Sequence, residues 1–163
     1  MSTKKGSLGE QPYYPMVGYY FKVSINGIRD EVDSKFMEVS GIDMKLEDGD
    51  TIKEGGENAS IYEFPGRTTY SDLVLKRGLL KPNTSLIKWC MTFFKNDYAV
   101  PLETKDVSVQ LLNEKGQAVF TWLFKSAQPK ELNISGFKSQ ASGQEAIVVE
   151  TIKLKFESFD MVY

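Results

Sequence analysis

The sequence contains no histidine and a single cysteine among its 163 residues. Histidine is the commonest general base and metal ligand, so its absence removes the usual starting point for either kind of site. A lone cysteine can form neither an internal disulfide nor a cysteine-rich zinc site. The composition therefore favours a structural or binding role over catalysis.

An excess of one charge and long apolar runs are also lacking. The 22 acidic and 20 basic side chains give a net charge of −2, which argues against a protein that binds nucleic acid by neutralising phosphates. Charges interrupt the apolar windows, so we expect no membrane insertion by this chain. Residues 1–14 lack the apolar stretch of a signal peptide. We therefore expect synthesis in a reducing cytoplasm, and any extracellular role would depend on particle release or lysis.

What the sequence does contain is alternation of apolar and polar residues, which predicts strands. Residues 19–25 alternate and end at Asn26–Gly27, a dipeptide typical of a tight hairpin turn. Asn113–Gly116 is a second turn, which predicts a hairpin between its flanking strands. Further predicted strands lie at 36–39, 73–77, 107–111, 118–124 and 152–156.

One segment has the spacing of a helix. Residues 82–85 (PNTS) supply helix start signals, with Asn83 as a candidate cap, and apolar residues follow at helical spacing to about Asn96. The total of about seven strands and one helix, with neither an internal repeat nor a βαβ rhythm, predicts a mainly β sandwich or barrel. We expect one domain over residues 18–163 and a flexible N-terminal arm over 1–17.

Residues 43–71 form a segment rich in glycine and acidic residues, which we name the arm. An unstructured loop of that length is unusual in a compact domain, and residues 44–46 and 61–64 still alternate. We predict a long protruding hairpin that packs on a neighbouring molecule, because such a hairpin buries little surface against its own domain.

No constellation of residues supports an active or metal site. Ser85 and Lys88 have the S-x-x-K spacing of an activated serine, but the companion motifs are missing and a helix start explains them better. Asp48, Asp50, Glu54 and Glu57 lack the alternating oxygen ligands of an EF-hand, because Ile52 and Lys53 intervene, so an acidic solvated loop is favoured. We predict neither cofactor nor metal.

Three residues that could suggest chemistry are better explained as core. Cys90 lies on an apolar helix with no histidine to activate it, which indicates a small buried hydrophobic residue. Trp89 lies within the apolar stripe of the helix, and Trp122 alternates with Phe120 and Phe124. We predict core positions for both tryptophans rather than a platform for sugar stacking.

Several short motifs follow one another in a fixed order along the chain. The central ones are 54–58 (EGGEN), 64–66 (FPG), Tyr70 and 73–78 (LVLKRG). Others are 21–23 (FKV), 39–41 (VSG), Trp89, 122–124 (WLF), 127–129 (AQP) and the closing strand after Glu150. This ordered set resembles the tail tube protein family of contractile bacteriophages, which includes the inner tubes of phage-like contractile injection systems, and the resemblance covers the chain from about Gly18 to the end.

The resemblance implies a structural, non-enzymatic subunit of an inner tube. Members of the family form hexameric rings that stack into a hollow tube inside a contractile sheath, and strands of the six subunits join around the lumen. Implied partners are copies of the chain, the sheath protein, baseplate and tube-terminating proteins, and protein or DNA cargo in the lumen. Implied contacts between subunits or rings come from the arm: Glu47, Asp48, Asp50, Glu54, Gly55, Gly56, Glu57, Pro65 and Gly66.

Two alternatives to a sheath-bound tube stay open at this point. A ring-forming protein of the type VI secretion kind would share the fold. Whether a sheath protein co-purifies would distinguish it from a sheath-bound tube protein. A monomeric β-sandwich binding module would instead be monodisperse, with exposed aromatic side chains and a compact segment at 43–71. Ordinary hairpin turns would equally explain the glycines of the arm.

Overall fold

The computed structural model describes residues 18, 20–53, 61–95, 99–139 and 142–162. Within this part of the chain there are nine strands, one α-helix and two short 3-10 helices. The helix α1 is Ser85–Lys95, and the 3-10 helices are Glu31–Ser34 and Gly143–Ala146. The strands are β1 (Phe21–Ile25), β2 (Glu38–Ser40), β3 (Met44–Lys53), β4 (Ile61–Tyr70), β5 (Leu73–Gly78), β6 (Lys105–Leu112), β7 (Ala118–Ile134), β8 (Val149–Lys155) and β9 (Ser158–Val162).

Seven of the strands form a sandwich of two antiparallel sheets that share the long strand β7. Sheet 1 has the order β1-β6-β7-β9, and sheet 2 has the order β7-β8-β5-β2. The first half of β7 pairs with β6 and β9, and its second half pairs with β8. The prediction of a mainly β fold is confirmed, and of its two forms the sandwich is the one observed, because the sheets do not close into a barrel.

The bend in β7 occurs at Ser126, which has a φ of 53°. The Asp106 carboxylate of β6 holds this corner, since its Oδ1 accepts a hydrogen bond from Ser126 N at 3.1 Å and its Oδ2 accepts one from Lys125 Nζ at 3.0 Å. These hydrogen bonds lower the pKa of Asp106, the backbone bond from Ser126 contributing most. The corner is therefore fixed by a short-range polar contact rather than by packing alone.

The core lies between the two sheets and is closed by α1. The helix buries Leu86, Trp89 and Cys90, as its apolar spacing predicted. The sheets contribute alternate residues of their strands, among them Val23, Val109, Phe124, Leu75 and Ile152. At one end Tyr70, Phe124, Phe156 and Phe159 form a cluster of aromatic rings with centroids 4.9–6.0 Å apart.

Two local predictions are wrong. The turn at Asn26–Gly27 exists, with Ile28 N donating to Ile25 O, but it joins no hairpin because β1 pairs with β6. The cap of α1 is Thr84 rather than Asn83: Thr84 Oγ1 accepts from Ile87 N at 3.4 Å, and its carbonyl accepts from Lys88 N at 3.0 Å. The predicted hairpin at Asn113–Gly116 is confirmed, since this turn joins β6 to β7.

Candidate assembly surface

The arm is a separate two-stranded sheet that leaves the sandwich. In the described residues β3 and β4 pair only with each other, from Met44 opposite Tyr70 to Lys53 opposite Ile61. At its root the Asp43 carboxylate accepts a hydrogen bond from Ser71 N at 3.1 Å. Hydrogen bonding from Ser71 also lowers the pKa of Asp43. The prediction of a protruding hairpin is therefore confirmed.

One face of the arm continues the core beyond the sandwich. Residues directly opposite each other share a face, so Met44, Leu46, Thr68 and Tyr70 lie on the same side of the hairpin. Tyr70 packs against Phe156 and Phe159. On β3, the side chain of Met44, opposite Tyr70, is 55% exposed, and that of Leu46, two residues farther out, is 61% exposed. The apolar face therefore loses its cover where the arm leaves the domain.

Two irregularities bend the middle of the arm. The register shifts between Leu46 and Asp48 and again before Thr51, as at β-bulges. Pro65 lies opposite Asp48 beside these shifts, a position where a strand tolerates proline. A Cβ atom at Gly66 would overlap the carbonyl oxygen of Glu47, and one at Gly49 would overlap that of Phe64. The backbones approach so closely here that glycine is required.

The predicted contact residues fall into two groups. Five lie in the described part of the arm, with Glu47, Asp48, Asp50 and Pro65 exposed and Gly66 partly buried. The structure brings Asp48 opposite Pro65 and places Gly66 against Glu47, so the close approach at Gly66 is within its own hairpin. The other four lie outside the described residues: Glu54, Gly55, Gly56 and Glu57. Contact of any of the nine residues with another subunit stays a prediction.

The sandwich also has open strand edges. Among the described strands, β1 pairs only with β6, β9 pairs only with β7, and β2 pairs only with β5. Each of the three presents a row of backbone groups that a strand of another molecule could complete. Sheet 1 is open at both ends in this way, through β1 and β9.

A buried charge cluster behind sheet 2 was missed by the sequence analysis. Arg77 Nε donates to Glu150 Oε2, and its Nη1 donates to Asp33 Oδ1, both at 2.7 Å. All three side chains are almost fully buried. Asp33 Oδ2 also accepts from Leu86 N in the first turn of α1, where the helix dipole favours a negative charge. Burial alone would lower the pKa of Arg77, but these carboxylates outweigh it and raise the pKa.

The alternation of the strands could have found this cluster. On β5 the buried positions are Leu73, Leu75 and Arg77, and on β8 they are Glu150, Ile152 and Leu154. Arg77 and Glu150 lie directly opposite each other. A charged residue at an inward-facing position on each of two strands predicts a buried ion pair if the strands are neighbours.

The other candidate residues have structural contacts. Ser85 Oγ donates to Asp30 Oδ2 at 2.7 Å, and Lys88 is exposed, which supports the helix-start explanation of the S-x-x-K spacing. Cys90 is fully buried, and burial raises the pKa of its thiol to about 12, as expected of an unreactive core residue. Trp89 is buried with its Nε1 donating to Glu103 O, whereas Trp122 is only partly buried at the edge of the core.

Two kinds of feature are absent from the described residues. No group of three or more acidic or cysteine side chains is placed to hold a metal ion. None of the helical segments that the structure describes has the length and apolar character needed to cross a bilayer.

A sandwich with open edges and a projecting hairpin defines a subunit built for assembly, and comparison with known families identifies it as a tail tube protein. The sequence model of the T4-like virus tail tube protein gp19 matches residues 17–160. The chain therefore belongs to that family. A search of curated proteins found no significant match.

Solved structures with the same fold come from a contractile injection system and from a type six secretion system. A chain of the sheath-tube complex of the extracellular contractile injection system PVC, in the extended state, is 24% identical over 99% of both chains, with a TM-score of 0.71. A chain of the PVC sheath/tube terminator is 25% identical over 93% of this chain and 99% of that one, with a TM-score of 0.73. A type six secretion system protein is 13% identical over 88% and 82%, with a TM-score of 0.53.

Proposed function

We propose that this tail tube protein forms hexameric rings that stack into the inner tube of a contractile injection particle or phage tail. The observation that carries the proposal is the arm, whose exposed apolar face and self-contained strand pairing suit contact with another copy. Within a ring, the open edges of sheet 1 would pair between neighbours, so that closure of the ring removes both edges. In the stack, the arm of each subunit would contact a neighbouring subunit or the adjacent ring.

The role that we propose is structural, without enzymatic activity. The tube would be made in the bacterial cytoplasm, surrounded by a sheath protein and ended by baseplate and terminating proteins, and a protein or DNA would pass through its lumen. The relatives support this assignment, since they come from a sheath-tube complex and a sheath/tube terminator. The near-balance of 20 basic and 22 acidic side chains suits the weak contact that passage requires.

Negative-stain electron microscopy of the purified protein tests the assembly. We expect rings or tubes, and a uniform population of monomers at high concentration would contradict the proposal and favour a monomeric binding module.

A ring-forming protein of the type VI secretion kind is the second candidate, favoured by the fold shared with a type six secretion system protein. Co-purification of a sheath protein with the assembled particles would support the sheath-bound tube.

A charge-matched pair of variants tests the arm. Met44→Asp with Leu46→Asp lowers the net charge by two on the exposed apolar face, and Lys45→Asp lowers it by two on the opposite face of the same strand. We expect the first variant to lose stacked particles and the second to retain them. Deletion of residues 47–60 should also abolish stacking while the sandwich stays folded. Unchanged stacking after either disruption would show that the arm has no role in it.

A further inference from the structure

The end of sheet 2 at which β5 and β7 stop carries a second exposed apolar surface. Three segments meet there, since Leu79 N donates to Val148 O and Ser135 N donates to Val149 O, both at 2.8 Å. The apolar side chains that these segments expose, which we name the end patch, are Leu79, Leu80, Ile134, Phe137 and Ile147. Phe137 is 79% exposed and Leu80 is 60% exposed. Exposed apolar side chains grouped in this way mark an interaction surface.

The end patch and the apolar face of the arm lie at opposite ends of sheet 2. The arm joins the sheet just before Leu73, where β5 begins, and the end patch lies beyond Gly78, where β5 ends. At the usual rise of a strand, β5 separates these two ends by about 17 Å. Met44 and Leu46 are exposed, so the end patch of the same copy does not cover them. The two apolar surfaces are therefore both left for another molecule to cover.

Charged side chains beside the two surfaces have opposite signs. Beyond Leu46, the exposed charged residues of β3 are acidic: Glu47, Asp48 and Asp50. Of the basic residues nearby, Lys45 lies on the opposite face of the hairpin and Arg67 lies within the register shift. Beside the end patch, Lys81 and Lys138 are exposed, and each directly follows a residue of the patch. Acidic and basic side chains placed in this way favour contact between the two surfaces over contact of either with its own copy.

We propose that the apolar face of the arm of one copy docks on the end patch of another copy. This inference rests on the proposed function, because it names the surface that receives the arm in the stack. The two surfaces are different, so the contact is head-to-tail, and each copy both contributes an arm and receives one. A head-to-tail contact can repeat from copy to copy, as a stack requires. Phe137 supplies the aromatic side chain that is enriched in the cores of such interfaces.

Cross-linking between two single-substitution variants tests the contact. Leu46→Cys places a thiol on the apolar face of the arm and Leu80→Cys places one on the end patch, while the native Cys90 is fully buried. The two proteins are mixed before assembly and treated with a short bismaleimide. We expect cross-linked dimers in the mixture and none in either protein alone, because the contact joins unlike surfaces. In the matched control, Val119→Cys, exposed at the start of β7, replaces Leu80→Cys and should give no dimers.

Electron microscopy of the same mixture separates this proposal from that of the tube. Tubes without cross-linked dimers would overturn the docking and leave the tube intact, and cross-linked dimers without rings or tubes would support the docking and contradict the tube. Absence of both particles and dimers would overturn both proposals. Dimers in either variant alone, or equal cross-linking with Val119→Cys, would also overturn the docking, because the contact would then not be specific to the arm and the end patch.

Discussion

At the scale of single residues, Arg77 is the most unusual feature of the molecule. Its guanidinium lies between two buried carboxylates, those of Asp33 and Glu150, and its Nη2 also donates to Thr84 Oγ1 at 3.3 Å. The ring of Phe36 lies 5.8 Å from its Cζ. These contacts join β5, β8, the first 3-10 helix and the start of α1 around one side chain. Arg77 therefore connects the helix to sheet 2 by charge as well as by packing.

Removal of the Arg77 charge should destabilise the fold strongly. Arg77→Met leaves two buried carboxylates without their cation, and breaking a buried ion pair in this way costs about 3–5 kcal/mol. Lys76→Met is the matched control, because the neighbouring residue forms an exposed pair with Glu38 and such pairs contribute about 0–1 kcal/mol. Urea unfolding measures both variants. Equal losses of stability would contradict the importance that we assign to the buried cluster.

At the scale of elements, the close backbone contact within the arm controls whether the hairpin forms. Gly66→Ala should destabilise the arm by about 1–3 kcal/mol, the usual cost of overpacking, because the added methyl group overlaps a backbone oxygen of Glu47. The arm pairs with itself in the described residues, so the loss should be local. Hydrogen exchange is expected to accelerate in 44–53 and 61–70 while β6 and β8 stay protected.

Gly136→Ala is the control for this prediction, since a Cβ atom there meets nothing within 4 Å. It should leave exchange in the arm unchanged. Protection of the arm that is the same in Gly66→Ala and in the wild type would show that the backbone can move apart at the bulge without cost.

The alternation of apolar and polar residues predicts some of the secondary-structure elements and not others. Most strands, α1 and the arm were predicted because their apolar period is regular. The second half of β7 was not, since Ser126 and Pro129 interrupt the pattern and only the pairing with β8 keeps the chain extended. A register shift beside Pro129 accommodates the proline. The strand β9 was missed because only Phe156 and Glu157 separate it from β8, and its pairing with β7 is a tertiary contact.

The candidate assembly surface, too, was predicted only as far as its apolar period reaches and not where it depends on tertiary contacts. That residues 43–71 form an arm with little burial against its own domain followed from their alternation and their length, but not that Met44 and Leu46 would be its exposed apolar side chains. Both residues fit the pattern of a buried strand face, and only the point where the arm leaves the sandwich shows that their cover ends. Sequence periodicity reports which side chains share a face. It does not report whether that face lies inside the domain.

At the scale of the whole molecule, three carboxylates hold the connections between elements. Asp30 accepts from Ser85 Oγ and Ser85 N at the start of α1, Asp43 accepts from Ser71 N at the root of the arm, and Asp106 holds the corner of β7. The hydrogen bonds lower the pKa of each carboxyl below the ordinary value of 3.8. At the helix start, the root of the arm and the sheet corner, the folded state therefore favours the ionised form of the carboxyl group.

Acid should consequently weaken the fold through these carboxylates. A carboxyl whose pKa is lower in the folded state contributes its full stability above pH 3.8, the value of the unfolded group, and loses it as the pH falls through the lower folded pKa. Asp106→Asn keeps an oxygen that can accept from Ser126 N but cannot titrate, so the melting temperature of this variant should fall less steeply on acidification than that of the wild type.

Asp160→Asn is the control, because the Asp160 carboxylate on β9 of the same sheet accepts no hydrogen bond from the described part of the chain. Thermal melts across the acid range should give parallel curves for Asp160→Asn and the wild type and a shallower one for Asp106→Asn. A curve for Asp106→Asn parallel to that of the wild type would show that the corner of β7 does not depend on this charge.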